Sequence, residues 1–266
     1  MVYFKKSKKV DYVNRYDKSP TPIGRAVFVG LRAFDPFLQY SILAQGIGTS
    51  LLYHVGLTAL PPGIPAHTGI FFIDGLQLSP YRLIILGMAL GSAVKHCIWA
   101  TTISGEGMYI PSAITVGAFN LAFNSLNTCL FICEQTSAST SSNARFPQLP
   151  LIVGGTMYTV GILTELIAEV QRKRFKSEPK NQGKPYTGGL WNLARHINYG
   201  AFTVWRAGYA IASAGWTWGA LTGAFFFFDF ATRGIPVLDD YCTKRYGQDW
   251  ANFKVKVPSS LLPGIY

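Results

Sequence analysis

Charge is scarce in this sequence: 14% of its 266 residues are charged, where a soluble domain carries about 25%. Acids are the scarcer sign, with 13 Asp and Glu against 24 Lys and Arg. Hydrophobic residues make up 49% of the chain, a composition that excludes disorder, a secreted disulfide scaffold and a DNA-binding domain with a charged surface. The four cysteines, Cys97, Cys129, Cys133 and Cys242, form no Cys-x-x-Cys pair, and three lie in apolar stretches. That points to reduced thiols and no structural metal. The Gly-rich fingerprint of a soluble dinucleotide-binding domain is absent, as is a Lys-Asp-Glu-Leu signal at the C-terminus. The formal net charge of +11 falls in hydrophilic ends and loops, where it reads as a topology signal rather than a nucleic-acid surface.

Long apolar runs are what the chain has in plenty. A bilayer core needs roughly 20 apolar residues per helix, and four runs meet that: Pro36 to Ala59, Tyr81 to Ile103, Pro111 to Cys133 and Leu149 to Ala168. A fifth stretch, Tyr199 to Thr232, is too long for one span and carries Gly215 near its middle, so it is predicted to split into two short helices. Lys5, Lys6, Lys8 and Lys9 lead into a polar segment rather than a short apolar core, which predicts no cleavable signal peptide. Lys and Arg collect on the cytoplasmic side of membrane proteins. Residues 1–32 hold eight of them and residues 171–184 six, while 60–80 hold none and 134–148 only Arg145. The fold class predicted is an all-α polytopic membrane protein with six spans and both termini cytoplasmic. Its stretches are a basic segment 1–35, four spans over 36–168 that shape a substrate cavity, and a C-terminal half 169–266. Ser137 to Asn143 reads as a flexible lumenal loop.

The segment after the fourth span carries the chemistry. Arg172 and Lys176 are four apart and share a helix face, either as a grip for a phosphate or as a basic cuff at the membrane surface. Thr187 is placed to cap a helix starting near Leu190, which would put Trp191, Arg195, Asn198 and Tyr199 on one side. A flat ring, a cation and an amide there suit a nucleotide, or else an interfacial helix. In the tail, Pro236 opens a short helix, Asp239 and Asp240 suit its positive end, Lys244 and Arg245 its negative end, and Gly247 its cap.

Three motifs then carry a resemblance: Gln171-Arg-x-x-Phe-Lys176, Gly189-Leu-Trp-x-x-x-Arg-His-x-Asn-Tyr199 and Cys242-x-x-Arg-Tyr-Gly-x-x-Trp250, closing on Val257-Pro258 and Pro263-Gly-Ile-Tyr266. Over residues 165–266 the chain resembles the steroid 5-alpha-reductase-like membrane proteins, nearest the DUF1295 branch related to the sterol C14- and delta(7)-reductases. The resemblance implies a cytoplasm-facing NADPH pocket in which Arg172 and Lys176 hold phosphates. Trp191, Arg195, His196, Asn198 and Tyr199 form the cofactor-binding element, and Asp239, Cys242, Arg245 and Tyr246 complete it. It also implies the endoplasmic reticulum, and reduction of a carbon–carbon double bond in a lipophilic, steroid-like or fatty, substrate arriving from the bilayer. Five positions depart from the family pattern: Ile197 replaces a proline, Ala201-Phe202 a Gly-acid pair, Leu238 an acid and Phe253 a tyrosine.

Candidate catalytic residues are Glu165, about two turns into the membrane from Arg172, and Tyr199. Lys95 and His96 on the second span, Asp229 paired with Arg233, and the lone His54 rank behind them; His54 reads as a hydrogen-bonded core residue. Asn120, Asn124 and Asn127 form a stripe expected to face other helices. Gly46, Gly48, Gly87 and Gly91 are expected to permit close helix approach. Two other functions fit the same chain. One is a lipid methyltransferase using S-adenosylmethionine, since such membrane enzymes share an Arg-His-Pro-x-Tyr-like element and commonly carry a tail glutamate pair where this chain has Asp239-Asp240. The other is a non-catalytic lipid-binding scaffold of the same fold.

Overall fold

Apolar runs become helices because a backbone in hydrocarbon must satisfy its own hydrogen bonds, and the computed structural model is helical throughout. It describes residues 17–44, 46–140 and 146–266. The N-terminal lysines and positions 141–145, which include the end of the serine-rich patch, lie outside the described residues. The helices run α1 Pro22–Ala44, α2 Ile47–His54, α3 Phe71–Asp74, α4 Pro80–Ile98, α5 Ile110–Ile132, α6 Leu149–Ser177, α7 Ile197–Asp229, α8 Ile235–Tyr246 and α9 Gln248–Lys256. π-helical turns extend α4 over Trp99–Ile103 and α7 over Phe230–Gly234. Among the described residues no strand occurs.

Among the described residues, three helical segments are long and apolar enough to cross a membrane: Pro80–Ile103, Leu149–Ser177 and Ile197–Tyr246. Large apolar side chains such as Leu90, Val94, Val160, Leu163, Leu221 and Phe228 stay exposed, as a lipid-facing surface requires. α1 and α5 are each 23 residues long but carry polar side chains that lower their apolarity, so six crossings do not follow from length and apolarity alone. The split expected at Gly215 is present. Ala214 and Gly215 leave helical geometry, Gly215 at φ 76°, and the chain folds back on itself. Phe202 meets Phe226 at 5.1 Å and Tyr199 stacks on Phe230 at 4.4 Å.

The first span differs from its predicted Pro36–Ala59. Arg32 and Asp35 look like a water boundary in the sequence, but they pair at 3.0 Å with both side chains fully buried, so the helix starts at Pro22 and runs through Pro36. It ends at Ala44, and a left-handed Gly46 precedes α2. His54 is exposed rather than in the core, its Nδ1 hydrogen-bonded to the Ser50 carbonyl.

The asparagine stripe on α5 does face other helices. Asn124 donates to Asp35 at 2.6 Å and to Ser92 at 3.1 Å, Arg206 donates to Asn124 at 3.1 Å and to Asn120, and Trp218 donates to Asn127 at 2.7 Å. Polar side chains buried this way satisfy one another and fix which helix faces meet.

α6 and the first arm of α7 approach through small residues. A Cβ added at Gly154 would stand 2.5 Å from the Gly208 carbonyl oxygen and 2.6 Å from the Ala212 nitrogen. Gly48 and Gly91 also sit in tight contacts, against Ile132 and the Tyr158 hydroxyl, whereas Gly46 and Gly87 have open space around them. Gly154→Val is therefore expected to lower stability by about 1–3 kcal/mol, the usual range for overpacking. Gly87→Ala should leave it unchanged, both read as thermal unfolding in detergent.

Candidate functional site

A cavity of about 1070 Å³ lies between the inner ends of α4, α5, α6 and α7 and the α8–α9 tail. Its two ends differ in chemistry, one cationic and one aromatic.

The cationic end is built on the last turns of α6. Glu169 and Arg172 are one turn apart and form an ion pair at 2.5 Å, with the Glu169 side chain 4% exposed. Asn198 donates to the other Glu169 oxygen at 2.8 Å. Arg172 lies 5.5 Å from the Trp191 ring centroid, and the Trp191 indole donates to the Ala168 carbonyl at 2.8 Å. Gln171 accepts from the Leu190 backbone N–H at 3.0 Å, clipping the Gly189–Asn192 turn to α6. One turn beyond Arg172, Lys176 donates to the Tyr246 hydroxyl at 2.9 Å and to the Lys184 carbonyl. Arg245 donates to the Tyr241 hydroxyl at 2.9 Å. Of Arg172, Lys176 and Arg245, Arg172 alone has a carboxylate partner among the described residues. With one ion pair among the three cations, a positive basin walled by tyrosines remains, with buried Cys242 beside it.

The expected helix from Leu190 is not formed. Residues 189–192 make a 3-10 turn and α7 begins at Ile197, because His196, with φ −128° and ψ 47°, breaks the helical path. Trp191 and Asn198 still reach the same carboxylate–guanidinium pair, from two elements instead of one. Arg195 borders the cavity but spends its guanidinium on the tail, donating to the Val257 carbonyl at 2.5 Å, the Pro258 carbonyl at 2.8 Å and Ser260 Oγ at 2.6 Å. Burial lowers its pKa from the ordinary arginine value, with Asp239 opposing that shift. His196 is buried and lies near-parallel to Tyr199 at 5.9 Å. Tyr199 and Phe230 form a stacked pair in the cavity wall. Asp239 lies outside the cavity wall, accepting from the Trp250 indole at 2.7 Å and from Lys254 at 3.3 Å. Asp240 pairs with exposed Lys244. The tail helix has Pro236 in its first turn, basic residues in its last and Gly247 at its cap as expected, but because it starts at Ile235 its first turn holds no acid, and Asp239 and Asp240 lie beyond it.

At the aromatic end, Glu165 pairs with Lys95 and accepts from the Trp205 indole at 2.7 Å. His96 adjoins them, buried beside Phe28 and Trp205. Lys95 and His96 are thus buried within the helix bundle. Asp229 and Arg233 form the intrahelical pair expected, at 2.5 Å. One residue and one pairing at the site are absent from the sequence reading. Glu169 could be found as an acid three residues before Arg172. The partnership of Lys95 with Glu165 has no local signal, since 70 residues separate them.

The family model described as a protein of unknown function, DUF1295, matches residues 118–257. A probable O-methyltransferase, ustE, of Ustilaginoidea virens is 41% identical over 96% of this chain and 93% of its own length. A delta(14)-sterol reductase of Neurospora crassa is 27% identical over 91% of this chain and 64% of its own length. Delta(14)-sterol reductase ERG24B of Gibberella zeae is 27% identical over 44% of this chain and 34% of its own. The chain therefore spans less than two thirds of these sterol reductases. Its own family match takes in the α6 basic turns, the Trp191–Tyr199 element and the Cys242–Trp250 tail motif, and the chain is a member of the DUF1295 family, all-helical membrane proteins related to the sterol reductases.

Proposed function

We propose that the chain is an NADPH-dependent membrane reductase acting on a carbon–carbon double bond of a lipophilic substrate, with NADPH at the cationic end of the cavity and the substrate at the aromatic end. The observation that carries this is the basin of Arg172, Lys176 and Arg245, of which only Arg172 is ion-paired, to Glu169. A dinucleotide with several phosphate charges matches that surplus of cations. S-adenosylmethionine, whose one anionic group is a carboxylate beside two cationic centres, uses it poorly. The residues fit the cofactor in a second respect: Lys176 and Arg245 are held by neutral hydroxyls and a carbonyl, which a phosphate displaces at little cost.

Bound NADPH would supply hydride. Arg172, Lys176 and Arg245 hold its phosphates, the Tyr199–Phe230 pair offers a flat wall, and Asn198 and Glu169 keep the Arg172 guanidinium in place. Lys95 and Glu165 hold a transferable proton at the deep end. The basic cytoplasmic loops and the family resemblance favour residence in the endoplasmic reticulum with this cavity facing the cytoplasm.

A second reading, methyl transfer from S-adenosylmethionine, is favoured by the 41% full-length likeness to the Ustilaginoidea virens protein. Against it, Asp239 and Asp240 are engaged outside the cavity. The test is titration of detergent-purified protein with NADPH, NADH and S-adenosylmethionine. The reductase reading expects NADPH to bind most tightly, with affinity falling as salt rises; tightest binding of S-adenosylmethionine would replace it with the second.

A further inference from the structure

The deep end of the cavity contains more unspent polarity than a hydrocarbon substrate needs. Lys95 has three ammonium protons, and Glu165 is its one hydrogen-bond acceptor among the described residues. The ammonium is nonetheless buried, 5.8 Å from the Phe202 ring centroid and 6.0 Å from that of Trp205. The neighbouring His96 is 6% exposed, and its Nδ1 has no hydrogen-bond partner. Buried donors without acceptors cost free energy that a ligand oxygen recovers. The walls beside them are flat rings, Phe119, Phe202, Phe226 and Phe230, which favour a planar guest over an alkyl chain.

Resting on the reading of this cavity as the substrate site, we infer that its deep end recognises an aromatic lipophile through an acidic ring hydroxyl, a phenol docked between Lys95 and Glu165. A molecule entering from the bilayer arrives uncharged, which disfavours a carboxylate, and a carboxylate would also face Glu165. A phenol avoids both costs. The phenol O–H donates to a Glu165 oxygen, and the phenol oxygen accepts from a free N–H of Lys95. No covalent bond breaks, so the charges of ligand, Lys95 and Glu165 are unchanged. This recognition is independent of which cofactor occupies the other end.

The probes are 2-naphthol, 2-methoxynaphthalene and naphthalene, added at pH 7 to the detergent-purified full chain. A free phenol, with a pKa near that of tyrosine at about 10, is protonated at this pH and able to donate. 2-Naphthol is expected to bind at least tenfold more tightly than the other two probes, which lack the donor. Lys95→Met should remove most of that preference, and Lys95→Arg should restore part of it. Because Lys95→Met strands Glu165, Lys95→Met/Glu165→Gln serves as the charge-neutral variant and should also lose most of the preference. Equal binding of naphthalene and 2-naphthol, or a preference unchanged in both Lys95 variants that lack the ammonium, overturns the inference. NADPH titration of the same preparations separates the two claims. A preference for 2-naphthol without NADPH binding removes only the reductase reading, and NADPH binding without that preference removes only this one.

Discussion

Replacing Arg172 and Lys176 together by alanine is expected to weaken NADPH binding by more than a hundredfold. A hydrogen bond to a charged group contributes about 1.5–3 kcal/mol, and two such losses exceed the 2.8 kcal/mol or so that a factor of a hundred represents. The residual affinity should also lose part of its salt dependence, because two of the three cations of the basin are gone. Arg172→Ala leaves Glu169 with Asn198 as its remaining partner, so the fold is checked by thermal unfolding in the same detergent. Lys176→Met alone, whose partners are a hydroxyl and a carbonyl, should weaken NADPH about tenfold or more with no change in stability. NADPH binding as tight in the double variant as in the parent would mean that the basin is a membrane-surface cuff. The reductase reading would then lose its support.

The largest effect on stability is expected at Asp35. It accepts hydrogen bonds from Gln39 at 2.8 Å and Asn124 at 2.6 Å and pairs with Arg32 at 3.0 Å, all inside the bundle. Arg206, also fully buried, joins the same network through Asn120 and Asn124. Asp35→Ala leaves two buried guanidiniums without this carboxylate, and stranding a buried charge in this way costs about 3–5 kcal/mol. Asp35→Asn keeps the shape and one acceptor and should cost less. Arg32→Met/Asp35→Leu, which removes both charges, should recover much of the loss. Unfolding of the three variants in one detergent orders them, and an Asp35→Ala protein as stable as the parent would show that the network contributes little.

Much of this architecture was legible because membrane helices announce themselves. The start and cap of α8, the break at Gly215 and the inward face of Asn120, Asn124 and Asn127 all follow from local rules. The basic pair on α6 and the Trp191 and Tyr246 elements were legible through motif order. What escaped depends on contacts between distant segments. Arg32 and Asp35 mark a helix interior instead of its end because they neutralise each other and meet α5. The pairing of Lys95 with Glu165 escaped because the two residues sit on different helices. The turn at 189–192 replaced a helix because Gln171 and Ala168 of α6 hold it by hydrogen bonds that no window around Thr187 contains.

The reversal at Gly215 makes the length of each arm of α7 part of the site. Tyr199 and Phe230, the stacked rings of the cavity wall, stand on opposite arms and meet only because equal stretches of helix lead to and from the turn. One residue added to either arm rotates everything beyond it by about 100°. That would swing one ring out of the stack and carry the π-helical turn at Phe230–Gly234 with it. Insertions and deletions are thus tolerable in the exposed 60–70 connection, while between Tyr199 and Phe230 even a single-residue change in spacing would dismantle this stacked wall.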